Sequence, residues 1–127
     1  RYLEKYGIPN NLNDLNKHRF ISFGKGAPSP VFNPDWALKL GIKDNKKRKS
    51  IMKVNSVMGL LLAVESGVGL AALPDYLVFQ SQNVIKVLPK LEGPITEAHF
   101  VYPQSLKNVA RVQVFRNFLY SKIGDWK

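Results

Sequence analysis

The sequence predicts an α/β domain, and three stretches carry that prediction. Residues 54–74 read as a polar strand end, an almost wholly apolar helix, a glycine hinge and a short apolar run. Residues 20–23 form a compact aromatic and β-branched strand pattern bounded by His18-Arg19 and Gly24. Residues 108–122 repeat apolar side chains at helical spacing, Val109, Val112, Phe115, Leu119 and Ile123 on one stripe widened by Phe118. Short strands alternating with helices are the pattern of strand–helix–strand units.

In chain order, Tyr2 to Tyr6 reads as a short helix closed by Gly7, with Pro9 forbidding its continuation. Asn10 to Lys17 reads as a cap and one or two turns, Leu12 and Leu15 sharing a face. After the strand Phe20–Phe23, Gly24 to Asn33 is expected to be a loop, since Gly24, Gly26, Pro28 and Pro30 punctuate it. Asn33-Pro34-Asp35 supplies a cap, a fixed φ and a first-turn acid for a helix over Trp36 to Leu40, ended by Gly41. A strand is the alternative there, because Trp36, Leu38 and Leu40 also alternate. Ile51 to Val54 is a strand leading into the central helix.

That helix starts at Asn55-Ser56, both good N-caps whose side-chain oxygens can accept a first-turn N–H. From Val57 to Val64 it has no polar face, Glu65 being its only charge, so burial on most sides is expected. Gly67 is placed to end it in a left-handed conformation, and Leu70 to Leu73 is expected to be an apolar strand closed by Pro74. Beyond it come a helical turn over Asp75–Phe79, a strand over Val84–Leu88, a connection from Pro89 to Pro94 and a strand over Ala98–Tyr102. The helix start is also the one place suited to a ligand. The N–H groups of Val57 and Met58 beside Asn55 and Ser56 make a partly positive end that fits a small anion or carboxylate.

At 127 residues, 45% of them hydrophobic, the chain is long enough for one real core. The longest uninterrupted apolar run, Leu60–Val64, is far from the roughly 20 residues that span a bilayer, so no membrane partner is expected. Without cysteine there is no disulfide framework and no thiolate metal site. The two histidines, His18 and His99, fall in different elements, the nine acids are scattered, and no HExxH or GxSxG pattern occurs. No catalytic residue, metal or cofactor is therefore expected. The net charge of +10 is concentrated in Lys43, Lys46, Lys47, Arg48 and Lys49. Such a run reads first as a solvated connection, with nucleic acid as the alternative.

Taken together, YLEKYGIPNNLNDLNKHRFISF, VNSVMGLLLAVESGVGLAALPDYLV and HFVYPQSLKNVARVQVFRNFL resemble, in order and spacing, the effector-binding domain of LysR-type transcriptional regulators. The resemblance covers almost the whole chain. It implies a fold like a type II periplasmic binding protein, two α/β lobes joined by crossover strands around a small-molecule cleft. It also implies that residues 1–95 are the second lobe and residues 96–127 the returning strand and last helix of the first. The start at Arg1 rather than Met fits a piece whose upstream lobe and DNA-binding domain lie elsewhere.

Carried over, the resemblance places effector contacts at Phe23 and Gly24, at Asn55, Ser56 and Val57, and at Leu73 and Pro74, with Tyr102 facing them from the other lobe. The partners it implies are a small, anionic effector, DNA only through the domain not included in this chain, and further copies of the protein in a homo-oligomer. The implied compartment is the cytoplasm. With its lobe incomplete, the segment from Ala98 through the last helix is expected either to dock on another copy, by exchange, or to be poorly ordered. Exchange is favoured by its open strand edge beside an apolar helix. A transport-type solute-binding protein shares the implied fold and is the alternative function, and a basic nucleic-acid module using Lys43–Lys49 is the third.

Overall fold

A computed structural model of the chain describes residues 1–24, 35–44, 46–79, 81–95 and 97–123. It divides into two compact units, Arg1–Ile95 and Thr96–Lys127. The first holds α1 (Tyr2–Tyr6), a 3-10 turn (Asp14–Lys17), β1 (Phe20–Phe23), α2 (Trp36–Lys39), β2 (Ser50–Val54), α3 (Val57–Glu65) and α4 (Asp75–Val78). The second holds a 3-10 turn (Gln104–Leu106) and α5 (Ala110–Ile123). The expected loop beyond Gly24 and the Asn33-Pro34 helix start lie outside the described residues.

β1 is the axis of the first unit, and all four of its side chains are buried. It pairs with β2 in parallel, Phe20 with Ser50, Ile21 with Met52, Ser22 with Lys53 and Phe23 with Val54, with an irregularity between Phe20 and Ile21. On its other edge Phe20 forms a single parallel bridge to Leu70. Ile21 N–H donates to the Leu70 carbonyl and Leu70 N–H to the Arg19 carbonyl, both at 2.8 Å. A parallel strand covered on both faces reads as a continuous apolar run rather than an alternation, which explains Phe-Ile-Ser-Phe. Ile21 and Phe23 pack with Leu60 and Ala63 of α3, whereas Phe20 packs with Leu15 and Leu38. The one polar member, Ser22, donates to the Ser50 hydroxyl at 2.9 Å, so nothing in the strand is buried unsatisfied.

Tyr2 helps fix helix α1 to the start of β1. Tyr2 is buried, stacks near Tyr6 and His18, and its hydroxyl accepts the Arg19 N–H at 2.8 Å. Ser56 caps α3, its hydroxyl accepting the Gly59 N–H at 3.3 Å. Gly67 ends that helix with φ of 76°, as its position in the sequence predicts. Gly59 lets α3 lie close on β2, because a Cβ there would sit 2.6 Å from Val54 Cγ1.

Several expectations need correcting. Helix α3 is buried on one side only: Leu60, Leu61 and Ala63 are covered, yet Met58 and Leu62 are 52% and 58% exposed. The two strands and the bridged segment cover one face, and an apolar composition cannot say which face stays open. Asn55 does not cap α3; Ser56 alone does. The run Leu70–Leu73 pairs only through Leu70, while Ala71 and Leu73 pack against the α3 cluster. An apolar run signals burial, and pairing is a separate matter.

Val84–Leu88 is not a strand either. Leu88 has φ of 51°, which breaks an extended run, and its carbonyl accepts the Leu91 N–H to form a turn. Ala98–Tyr102 forms no ladder among the described residues. Instead Phe100 packs its ring on Tyr102 and Phe115, at centroid distances of 5.4 and 5.6 Å. The expected apolar stripe of α5 is covered only in part: Val109 just before the helix, Val112 and Leu119 are half-buried, and no residue of α5 is buried. Phe115 and Phe118 of that stripe remain 51% and 53% exposed.

The basic run is not uniformly solvated. Arg48 turns inward, donating from Nε to Asn16 Oδ1 at 2.9 Å, from one terminal nitrogen to the Leu40 carbonyl at 2.7 Å and from the other to the Leu12 carbonyl at 3.4 Å. Its guanidinium carbon lies 5.5 Å from the centre of the Phe20 ring, and partial burial lowers its pKa from the ordinary value. Lys47 pairs with Asp35. Charge composition alone gives these residues one role, whereas the fold gives Arg48 another.

Candidate functional site

The parallel sheet brings the ends of β1 and β2 to one edge. Gly24 N–H donates to the Val54 carbonyl at 2.8 Å. A Cβ on Gly24 would stand 3.7 Å from both Asn55 Cβ and Asn55 N, so the two residues are neighbours. Phe23 is buried immediately before Gly24, and Leu73 packs against the same apolar cluster as Phe23. Pro74 follows it as the N-cap residue of α4. In open parallel sheets this carboxyl edge is where ligands bind, since the loops that leave it are free to line a crevice.

What stands at that edge can hydrogen-bond. The Asn55 side chain is exposed and has no hydrogen-bond partner among the described residues, so its carboxamide offers a donor and an acceptor. The Ser56 hydroxyl is occupied by Gly59 N–H, and the first helical bond runs from Leu60 N–H to the Ser56 carbonyl. The N–H groups of Val57 and Met58 therefore have no helical acceptor, as at any helix start. They and the Asn55 amide form a small donor-rich surface. Of the residues singled out in the sequence, Phe23, Gly24, Asn55, Ser56 and Val57 are brought together, with Leu73 held to the same core as Phe23 and Pro74 next to it in the chain. Tyr102 belongs to the second unit and packs against Phe100.

The histidines lie elsewhere. His18 precedes β1 with its Nδ1 buried and unpartnered among the described residues. Burial holds its pKa below the ordinary value, with Asp14 acting in the opposite direction and Lys17 in the same one. Its ring lies beside that of Tyr2, at a centroid distance of 5.9 Å. His99 is exposed, 3.6 Å from Glu97. No group of histidine and acidic residues spaced to hold a metal occurs among the described residues, and no helix described is long and apolar enough to cross a membrane.

The model of the LysR substrate binding domain matches residues 1–123. The chain belongs to that family. An uncharacterized HTH-type transcriptional regulator of Haemophilus influenzae is 31% identical over 106 residues, covering 80% of this chain. The chain spans 35% of that relative's length. No solved structure matches it significantly.

A depression of about 260 Å³ in this LysR substrate-binding domain lies away from the helix start. It lies along the β1–β2 pair and is lined by Ser22, Phe23, Asp35, Lys47, Lys49 and Lys53 among others. Only Phe23 is common to it and the carboxyl edge. The lining of the depression includes three lysines and Arg48, whereas the carboxyl edge presents neutral donors. Sequence reasoning missed the depression, because Lys53 and Ser22 are brought together only by the register of the two strands.

The division of labour between Asn55 and Ser56 is open to test. Ser56→Ala should lower the unfolding free energy by about 1 kcal/mol through loss of the cap, measured by urea denaturation. Asn55→Ala should leave it unchanged. Equal losses in the two variants would return Asn55 to a capping role.

Proposed function

We propose that this domain is the effector-sensing part of a LysR-type transcriptional regulator, and that a small anionic molecule binds at the start of α3. The observation that supports this most directly is the Asn55 carboxamide, without a partner among the described residues, beside the helix-start N–H groups of Val57 and Met58 at the sheet's carboxyl edge. Carboxylate or phosphate oxygens would accept from these donors, the helix end favouring negative charge. Phe23, Gly24, Ser56, Leu73 and Pro74 would shape the wall beside it. Such a site binds and orients without chemistry, so the protein is a sensor rather than an enzyme.

In this reading residues 1–95 are the second lobe of a two-lobed domain and residues 96–127 the returning strand and last helix of the first. The whole regulator works in the cytoplasm as a homo-oligomer, its effector shifting the balance between states that differ in their DNA contacts. The exposed Phe115 and Phe118 suit a helix that is covered in the assembled protein.

Thermal-shift screening with small mono- and dicarboxylates and inorganic phosphate should find a compound that stabilises the intact regulator. Asn55→Ala should weaken that compound by about 1–3 kcal/mol, a loss of roughly 5- to 160-fold, since a hydrogen bond to a charged group is removed. Its melting temperature without compound should not move. An undiminished shift in Asn55→Ala would remove this edge from the effector site.

A further inference from the structure

We propose that the lysines flanking Arg48 form a preordered contact for the phosphate backbone of nucleic acid, separate from the effector site and from any DNA-binding domain elsewhere in the protein. Residues 43–53 hold six cations and one acid, a net +5 and half of the chain's +10. Lys43, Lys46, Lys49 and Lys53 are exposed and have no acidic partner among the described residues. Lys47 is held by Asp35.

The fold does more than gather charge. The Arg48 N–H donates to the Leu38 carbonyl at 2.9 Å, its guanidinium is bonded to three further groups, and β2 begins at Ser50. The segment that displays Lys46, Lys47 and Lys49 is therefore pinned at Arg48 and at the start of β2. Lys49, Lys47 and Lys53 then line a common depression with Ser22 and Ser50. A pinned set of cations loses less conformational freedom on meeting an anion than a flexible tail does. Phosphate suits this surface better than an acidic protein. Lysine is depleted at protein–protein interfaces, whereas it serves readily as a point charge toward phosphate. Nothing in the surface reads bases, so the contact is independent of sequence and sensitive to salt.

The test compares two variants of the chain that remove equal charge. Lys46→Gln, Lys49→Gln and Lys53→Gln are combined in one, and Lys86→Gln, Lys90→Gln and Lys107→Gln, all exposed, in the other. Binding to a labelled duplex of arbitrary sequence is followed by fluorescence anisotropy between about 50 and 200 mM salt. Melting curves confirm that both variants are folded. The first should lose at least about tenfold in affinity at low salt, with the slope of log affinity against log salt falling by about 2–3. The second should lose only a few-fold. Equal losses would show that net charge alone attracts DNA, and would overturn the proposal. So would polyglutamate displacing the duplex nucleic-acid charge for charge, for the surface would then be a general anion binder. Neither result bears on the effector site, which is read by the carboxylate screen.

Discussion

Replacing Gly69 by alanine should remove about 3–5 kcal/mol from the stability of this domain, most of what a small domain possesses. A Cβ at Gly69 would stand 2.6 Å from the Arg19 carbonyl oxygen and 3.1 Å from its carbon. Both are backbone atoms, so no side chain can swing aside. That carbonyl accepts the Leu70 N–H, and the Leu70 carbonyl accepts the Ile21 N–H. Relief of the clash must therefore spread the two hydrogen bonds that fasten the Leu70 segment to β1. The figure combines about 1–3 kcal/mol for overpacking with about 1 kcal/mol for each bond. A glycine-to-alanine change elsewhere commonly stabilises, by restricting the unfolded chain. Gly67→Ala provides the comparison, since its φ of 76° costs an L-residue about 1–2 kcal/mol while its nearest contact would be an ordinary 3.6 Å. Urea denaturation of the two variants separates the effects. A Gly69→Ala protein within about 0.5 kcal/mol of the parent would show that the bridge at Leu70 does not hold the sheet together.

What the sequence reveals about this domain is mostly what local chemistry decides. Tyr2–Tyr6 closed by Gly7, the strands at Phe20 and Ile51, the helix after Ser56 and the long amphipathic helix all form within a residue or two of their sequence patterns. Each has its own signal in a cap, a stop or a periodicity. The misreadings at Leu70–Leu73, Val84–Leu88 and Ala98–Tyr102 share one cause. Apolar and β-branched residues report that a segment wants cover, and a strand also needs a partner whose position lies far along the chain. Leu88 shows this well, since its positive φ comes from a turn that its side-chain type argues against. At the candidate site, the cap chemistry of Asn55 and Ser56 was legible as a pair. Which one caps was not, because both side chains suit the role and only the path of the chain out of β2 chooses between them.

Arg48 was the least legible residue of all, and its loss should be the second most damaging. Arg48→Met keeps the aliphatic stem and should still cost about 2–3 kcal/mol. The guanidinium joins three parts of the chain: Asn16 in the first 3-10 turn, Leu12 before it and Leu40 at the end of α2. Two of these bonds are solvent-exposed and contribute little apiece, so the sum is set below the full value of three charged bonds. The part-buried bond to the Leu40 carbonyl and the stacking on Phe20 carry most of it. Arg48→Lys should recover no more than about 1 kcal/mol, because one ammonium cannot reach acceptors that lie around a planar fork. The neighbouring Lys46→Met should stay within about 0.5 kcal/mol of the parent, as an exposed and unpaired charge should. Thermal and urea unfolding of the three variants give the ranking directly. If Arg48→Met proved as harmless as Lys46→Met, the run would be a solvated connection throughout, and the lysines beside it would lose the anchor that holds them in place.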